Sequence, residues 1–154
     1  MKKFMSIFVL TTLLVFSLGT SSSFAKNGFG DTLNTALELW NPNFSDTNTV
    51  SLPIDDPNDS DWYVVNNTNG SVNVSFSVFL TPPSGIDLQL QIVRVDSNDR
   101  IISTHYVNDG GPGEEEGVYT FVSSRDKVYF RVLSVGPSDY DPNRSYTLQF
   151  KKSS

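Results

Sequence analysis

The chain has 154 residues, no cysteine and a formal net charge of −6. The absence of cysteine removes both a disulfide framework and any thiolate metal site. The acidic balance argues against nucleic acid or an anionic membrane as a partner. Taken in chain order, Lys2 and Lys3 precede the mostly apolar run Phe4–Leu18 and a small, polar exit ending Ser23-Phe24-Ala25. This pattern reads as a secretory signal over residues 1–25, cleaved after Ala25. The apolar run is short for a span of about 20 residues, so no membrane insertion is expected after cleavage. The mature part, residues 26–154, is long enough for one domain and its own core. Its charge is uneven. Lys26–Val93 carries one basic and eight acidic residues, whereas Arg94–Ser154 carries eight basic and nine acidic. The acidic excess therefore lies in the first half, in aspartates that either populate turns or hold a hard cation.

Asp31–Trp40 has helical character, with Asp31 or Thr32 as N-cap and Leu33, Ala36, Leu37 and Trp40 on one side. Beyond it the apolar period is two. Val72, Val74, Phe76 and Val78 alternate with polar residues, as do Leu88, Leu90 and Ile92, then Val128, Phe130 and Val132, then Tyr146, Leu148 and Phe150. Weaker strands are expected at Thr49–Ile54, Trp62–Asn66, Ile101–Val107 and Val118–Val122. Turn clusters such as Asn66–Gly70, Thr81–Gly85, Asp96–Asp99 and Gly110–Gly113 punctuate them. About eight short strands at this spacing predict an all-β sandwich or barrel.

The order of these features resembles the bacterial pre-peptidase C-terminal domain, the family that includes the collagen-binding modules of clostridial collagenases. Asp31-Thr32 and Thr35-Ala36 are similar to the family's opening Asn-Asp, Thr-Ala segment. Asp59-Ser60-Asp61-Trp62-Tyr63-Val64 resembles its Asp-x-Asp-Tyr-Tyr-x-Phe strand, and Gly85–Leu90 its Asp-Leu-Asp-Leu-x-Leu strand. Val128–Val132 and Ser145–Phe150 resemble its Tyr-Tyr-x-x-Val and closing Tyr-x-Leu strands. The resemblance implies a jelly-roll-like antiparallel β-sandwich of about eight strands with one short N-terminal helical segment, non-catalytic and usually appended to a secreted peptidase. Here only the signal stretch precedes the module, so tethering an attached enzyme does not carry over directly.

Several residues could carry chemistry. Asp55–Asp61 supplies four carboxylates, and a calcium ion wants six to eight oxygens on a bendable loop. The resemblance implies calcium held by the N-terminal segment and the Asp-x-Asp turn, that is by Asp31, Asp59 and Asp61. Asn27–Gly30 stands where the calcium-binding members carry glutamates, and the loop is not an EF-hand, for it lacks the central glycine and closing glutamate. The alternative is a solvated turn. If Val128, Phe130 and Val132 face the core, Tyr129 and Arg131 face outward, and Tyr and Arg are common anchors of binding patches. The resemblance implies ligand contact there, against the alternative that Tyr129 packs across strands. Trp62 is read as a core residue beside the acidic turn, and Trp40 as a cap on the sandwich end. His105 is the one histidine, with no nucleophile elbow around any serine and too few nitrogen ligands for zinc. Asp87 and Glu114–Glu116 leave a two-carboxylate glycan hydrolase open, although a solvated loop at a glycine-rich hairpin tip explains the glutamates better.

These readings converge on a secreted, monomeric, non-catalytic module that binds an extracellular polymer or surface, a matrix protein or a cell-wall component, and is calcium-stabilised in one version. Two alternatives stand beside it: a partner of a secreted peptidase, acting as inhibitor, chaperone or export helper, and a small carboxylate-dependent glycan hydrolase.

Overall fold

Alternation of period two dominates the chain, and the computed structural model realises it as nine strands in two sheets. It describes residues 30–42, 45–96 and 98–153, so the expected signal at 1–25 lies outside the described residues. The strands are β1 (Leu37–Trp40), β2 (Thr47–Ile54), β3 (Ser60–Asn66), β4 (Val74–Thr81), β5 (Leu88–Val95), β6 (Ile101–Val107), β7 (Glu116–Val122), β8 (Lys127–Ser134) and β9 (Asp141–Lys152). One sheet has the order β1-β3-β8-β5-β6 and the other β2-β9-β4-β7. Apart from β1, this is the interleaving of a jelly roll, in which the chain passes back and forth between two four-stranded sheets. Every pairing is antiparallel except β1 with β3.

The expected helical segment is shorter than its apolar spacing suggests. A single 3-10 turn covers Leu33–Thr35, where Thr32 and Thr35 satisfy each other's backbone and hydroxyl groups. From Leu37 the chain is extended, and Trp40 ends a strand instead of a helix. A turn of three residues cannot repay helix nucleation, whereas the β3 edge offers backbone partners directly. This edge strand, β1, is the one beyond the eight expected.

The core fills from inward residues of both sheets: Tyr63 and Val65 on β3, Phe76 and Leu80 on β4, Leu90 on β5, Phe130 on β8, and Tyr146, Leu148 and Phe150 on β9. Its centre is aromatic. Phe130 meets Phe150 edge to face at 5.4 Å and Phe76 at 5.9 Å, and Trp40 stacks on Phe150 at 5.7 Å. The Trp40 indole N–H donates to the Ser45 carbonyl at 3.0 Å, so its one polar atom is satisfied while the ring is buried. The inward phase of β4, β5, β8 and β9 follows the alternation, with one correction: Val72 precedes the strand and is exposed.

A second, smaller layer lies on the outer face of the five-stranded sheet. Val93, Val95 and Tyr129 are buried there beneath Leu33 and Ala36 of the N-terminal turn, beside Trp62 and Val64. The Trp62 amide donates to the Gly30 carbonyl at 2.7 Å and ties that cover down. Gly30 has φ +84°, a left-handed conformation that a side chain disfavours. At the far edge, β6 pairs with β5 through a register shift that leaves Ile102 as an extra residue, and only Val107 of the strand is buried. Such a bulge twists an edge strand away from further pairing.

Candidate functional site

The acidic segment Asp55–Asp61 leads into β3, whose alternation sends Asp61 inward with Tyr63 and Val65 and leaves Trp62 outward. Asp61 is 3% exposed, and the Tyr146 hydroxyl donates to its Oδ2 at 2.6 Å. The Tyr63 hydroxyl is hydrogen-bonded to that of Tyr146, so the three groups form a chain spanning the two sheets. Burial pushes the Asp61 carboxyl up to about 7. The hydrogen bond from Tyr146 works against that rise, and repulsion from Asp59, Asp31 and Asp55 adds to it. Burial likewise holds the phenols of Tyr63 and Tyr146 above the usual tyrosine range.

Asp59 is half-buried. Its Oδ2 accepts the Asp55 amide at 2.7 Å, and it lines a depression of about 320 Å³ with Asp31, Asp56, Asn58, Ser60 and Arg131. Its pKa is raised by burial foremost, against amide bonds from Asp55 and Ser60 that lower it, with repulsion from Asp55 and Asp31 adding to the rise. The structure thus brings Asp31 and Asp59 to one depression and turns Asp61 away from it, into the core. Among the described residues no three carboxylate or imidazole groups are gathered to hold an ion. The Arg131 guanidinium, a fixed positive charge, lines the same depression. Asp61, bonded to Tyr146 inside the core, is thus apart from the depression that Asp31 and Asp59 share.

Tyr129 and Arg131 both lie on the outer face of the five-stranded sheet, as their alternation predicts, but at different depths. Tyr129 is only 6% exposed, in the cluster with Val93 and Val95 against which Leu33, Ala36, Trp62 and Val64 pack, and the Lys127 ammonium lies 5.6 Å from its ring centre. Lys127 is itself ion-paired with Asp99. Arg131 is half-buried, with its guanidinium 5.3 Å from the Trp62 ring centre. Trp62 is therefore an outward residue, contrary to the expectation that it belongs to the core. The strand registers place Trp62, Arg131, Gln91 and Tyr106 in one row across β3, β8, β5 and β6. The Gln91 amide donates to the Tyr106 hydroxyl at 2.6 Å. Two buried polar atoms in this row have no protein partner, Arg131 Nε and Gln91 Oε1. Such atoms are uncommon, and each asks for a water or a ligand.

The hydrolase candidates are dispersed. Glu116 is 1% exposed, and its carboxylate accepts the amides of Asp109 at 2.8 Å and Gly110 at 2.9 Å, which makes it a staple of the loop instead of a solvated tip residue. Glu114 and Glu115 are exposed, and so is His105 on the edge strand β6, in register with Ile92. Asp87 sits beside Asp139, which accepts its amide at 3.2 Å, and its carboxyl is raised by burial and by the charges of Asp139 and Glu116.

No family model and no curated protein matches the chain. Among solved structures it is similar to the pre-peptidase C-terminal domain of a collagenase from Bacillus anthracis, at 13% identity and a TM-score of 0.45, over 70% of this chain and 89% of that one. A protein from Sulfurospirillum deleyianum matches at 10% identity and a TM-score of 0.42, over 69% and 98% of the two chains. A CocE/NonD family hydrolase from Staphylococcus aureus matches at 9% identity and a TM-score of 0.33, over 70% of this chain and 31% of that one. These similarities are distant, and the architecture rests on strand order and register.

Proposed function

We propose that the domain is an exported, non-catalytic module that binds an extracellular polymer or surface through the outer face of its five-stranded sheet. The observation that carries this reading is the row Trp62–Arg131–Gln91–Tyr106 with its two unpartnered buried atoms. Arg131 Nε is a donor and Gln91 Oε1 an acceptor, on residues that are cross-strand partners, and because both atoms are buried a ligand reaches them only as the side chains of the row shift. Together they match a group that offers one acceptor and one donor, such as a peptide unit of a fibrous protein or an N-acetyl group of a cell-wall glycan. Trp62 and Tyr106 at the ends of the row supply aromatic surface, and rigid aromatic and arginine side chains dominate binding energy at such patches. Tyr129 supports this face from beneath its cover instead of touching the ligand. Glu116 is committed to two loop amides and His105 stands alone on an edge strand, which favours binding over catalysis.

The test is retention of the full chain on insoluble collagen, chitin, cellulose and peptidoglycan. Retention on at least one of these, weakened about tenfold or more by Arg131→Ala, is expected. Passage through all four, or binding indifferent to Arg131, would remove this face from consideration.

A further inference from the structure

We infer that the strand ends at Lys151, Lys152 and Tyr119, on the four-stranded sheet, form a second recognition surface that takes an acidic polysaccharide, a chain of uronate sugars with one carboxylate on each ring. It does not rest on the proposal for the five-stranded sheet. Strand register places Thr47, Lys151, Ser77 and Tyr119 in one row across β2, β9, β4 and β7. Lys151 is exposed, and Tyr119 is 67% exposed beside Ser77, too short to cover its ring. Two depressions of about 330 Å³ each meet at Lys152 and Ser153. One takes in Thr47 and Lys151, the other Asn73, Ser75 and Tyr119. A further cation stands at the β7 edge. Arg94 donates to the Phe121 carbonyl at 3.1 Å, with its guanidinium 4.8 Å from the Phe121 ring centre. Phe121 is thus occupied by the protein's own arginine, and Tyr119 is the open ring.

Local charge selects the occupant. The chain has 17 acidic against 11 basic residues, yet the row contains no carboxylate, and among the described residues Asp46 is the one carboxylate lining either depression. Against it stand Lys151, Lys152 and, at the edge, Arg94. Lys152 Nζ donates to the Pro42 carbonyl at 3.1 Å, which uses one of its donors and leaves its charge. Asp31, Asp56 and Asp59 line a depression with Arg131 of the other sheet. Packed sheets lie about 10 Å apart, and exposed charges at that range are largely screened at ~0.15 M salt. A bound polyanion therefore answers to the lysines it touches. β9, which carries Lys151, and the β7 edge are two strand spacings apart, about 10 Å, the span of a disaccharide. The apolar face of a sugar ring has a partner in Tyr119, whose hydroxyl stays wet, and Asn73 and Ser75 can pair with sugar hydroxyls. Duplex DNA carries one charge per about 1.7 Å, far denser than these cations match, and an acidic peptide backbone offers Tyr119 no ring face.

The experiment is biolayer interferometry of the full chain on immobilised polygalacturonate and alginate, with dextran as the uncharged surface and polyglutamate as the carboxylate polymer without sugar rings. Expected at ~0.15 M salt is binding to at least one uronate polymer and weaker or no binding to dextran and polyglutamate. Lys151→Glu and Tyr119→Ala should each weaken it about tenfold, ~0.5 M salt should release it, and Arg131→Ala should leave it unchanged. Both substituted side chains are exposed, and an unchanged urea midpoint confirms that the variants fold. No binding to either uronate polymer would overturn the inference. So would undiminished binding by Lys151→Glu or Tyr119→Ala, or equal binding to dextran or to polyglutamate. Binding abolished by Arg131→Ala but kept by Lys151→Glu would place the polymer on the other sheet. That result overturns this inference and leaves the proposal for the five-stranded sheet standing.

Discussion

The buried chain Asp61–Tyr146–Tyr63 makes folding stability depend on pH in a direction opposite to that of most paired aspartates. An aspartate in the unfolded chain titrates near 3.8, whereas burial raises the folded value to about 7. Between those values the native state holds one more proton than the unfolded state, so stability falls as pH rises. The contribution of protonated Asp61 is complete below pH ~4, is lost progressively, and is gone above pH ~7. Across about three pH units the loss is on the order of 4 kcal/mol, a large share of a typical domain's stability. Asp61→Asn removes the titration and keeps an oxygen that accepts the Tyr146 hydroxyl. Asp59, also raised, tilts the profile the same way in both proteins, whereas the lowered Asp96 and Asp141 tilt it oppositely. The difference between wild type and Asp61→Asn therefore isolates the one group. The assay is urea unfolding followed by the fluorescence of Trp40 and Trp62 at each pH from 4 to 8. The variant should match the wild type within about 1 kcal/mol at pH 4 and exceed it by several kcal/mol at pH 8. Parallel profiles, or a variant that loses stability equally at every pH, would show that Asp61 is already ionised and well solvated in the fold.

Three further outcomes follow from the packing. Tyr129→Ala should destabilise the domain by about 3 kcal/mol, because the ring is buried in the outer cluster with Val93 and Val95; a change below 0.5 kcal/mol in the same urea assay would show that the outer cluster does not bury it. Glu116→Ala leaves the Asp109 and Gly110 amides without their acceptor and should cost about 1–3 kcal/mol, together with faster amide exchange at those two positions. Calcium at millimolar concentration should leave the thermal midpoint where excess chelator leaves it, because Asp61 faces Tyr146 and Arg131 shares the depression with Asp31 and Asp59. A clear rise with calcium would instead place Asp31 and Asp59 at a bound cation by mass action.

Strand existence and inward phase were legible because period two is a local signal that burial enforces along a whole strand. Leu88, Leu90 and Ile92, or Val128, Phe130 and Val132, could not all face the core in any other register. The N-terminal segment is helical over a shorter stretch than its spacing predicts, for an equally physical reason. Leu33, Ala36, Leu37 and Trp40 satisfy a helical spacing, but what stabilises the segment is the β3 edge on one side and the outer apolar cluster beneath it, neither of which is local. Depth fails in the same way. Alternation tells which face Tyr129 occupies and nothing about what lies above that face, so an outward tyrosine became a buried one once the chain's own N-terminus folded over it.

The candidate sites divide along this line between face and cover. Asp31, Asp59 and Asp61 look equivalent as a spacing of carboxylates, yet the strand that begins at Ser60 imposes its alternation on the last of them. Asp61 shares the inward phase of Tyr63 and Val65, and once inside it is committed to Tyr146 from the far sheet. Alternation opposes Gln91 in phase to Leu90 and Ile92, but Trp62, expected in the core, is set on the outer face only by the strand register, which makes both residues cross-strand partners of Arg131. Tyr106 was hidden by the extra residue at Ile102, which breaks the period within β6. A binding row on a sheet is thus a product of several strands in register. Its members are far apart in the chain and individually ordinary, and Arg131 and Gln91, each with one unpartnered polar atom, become a signal only when the sheet pairs them across strands.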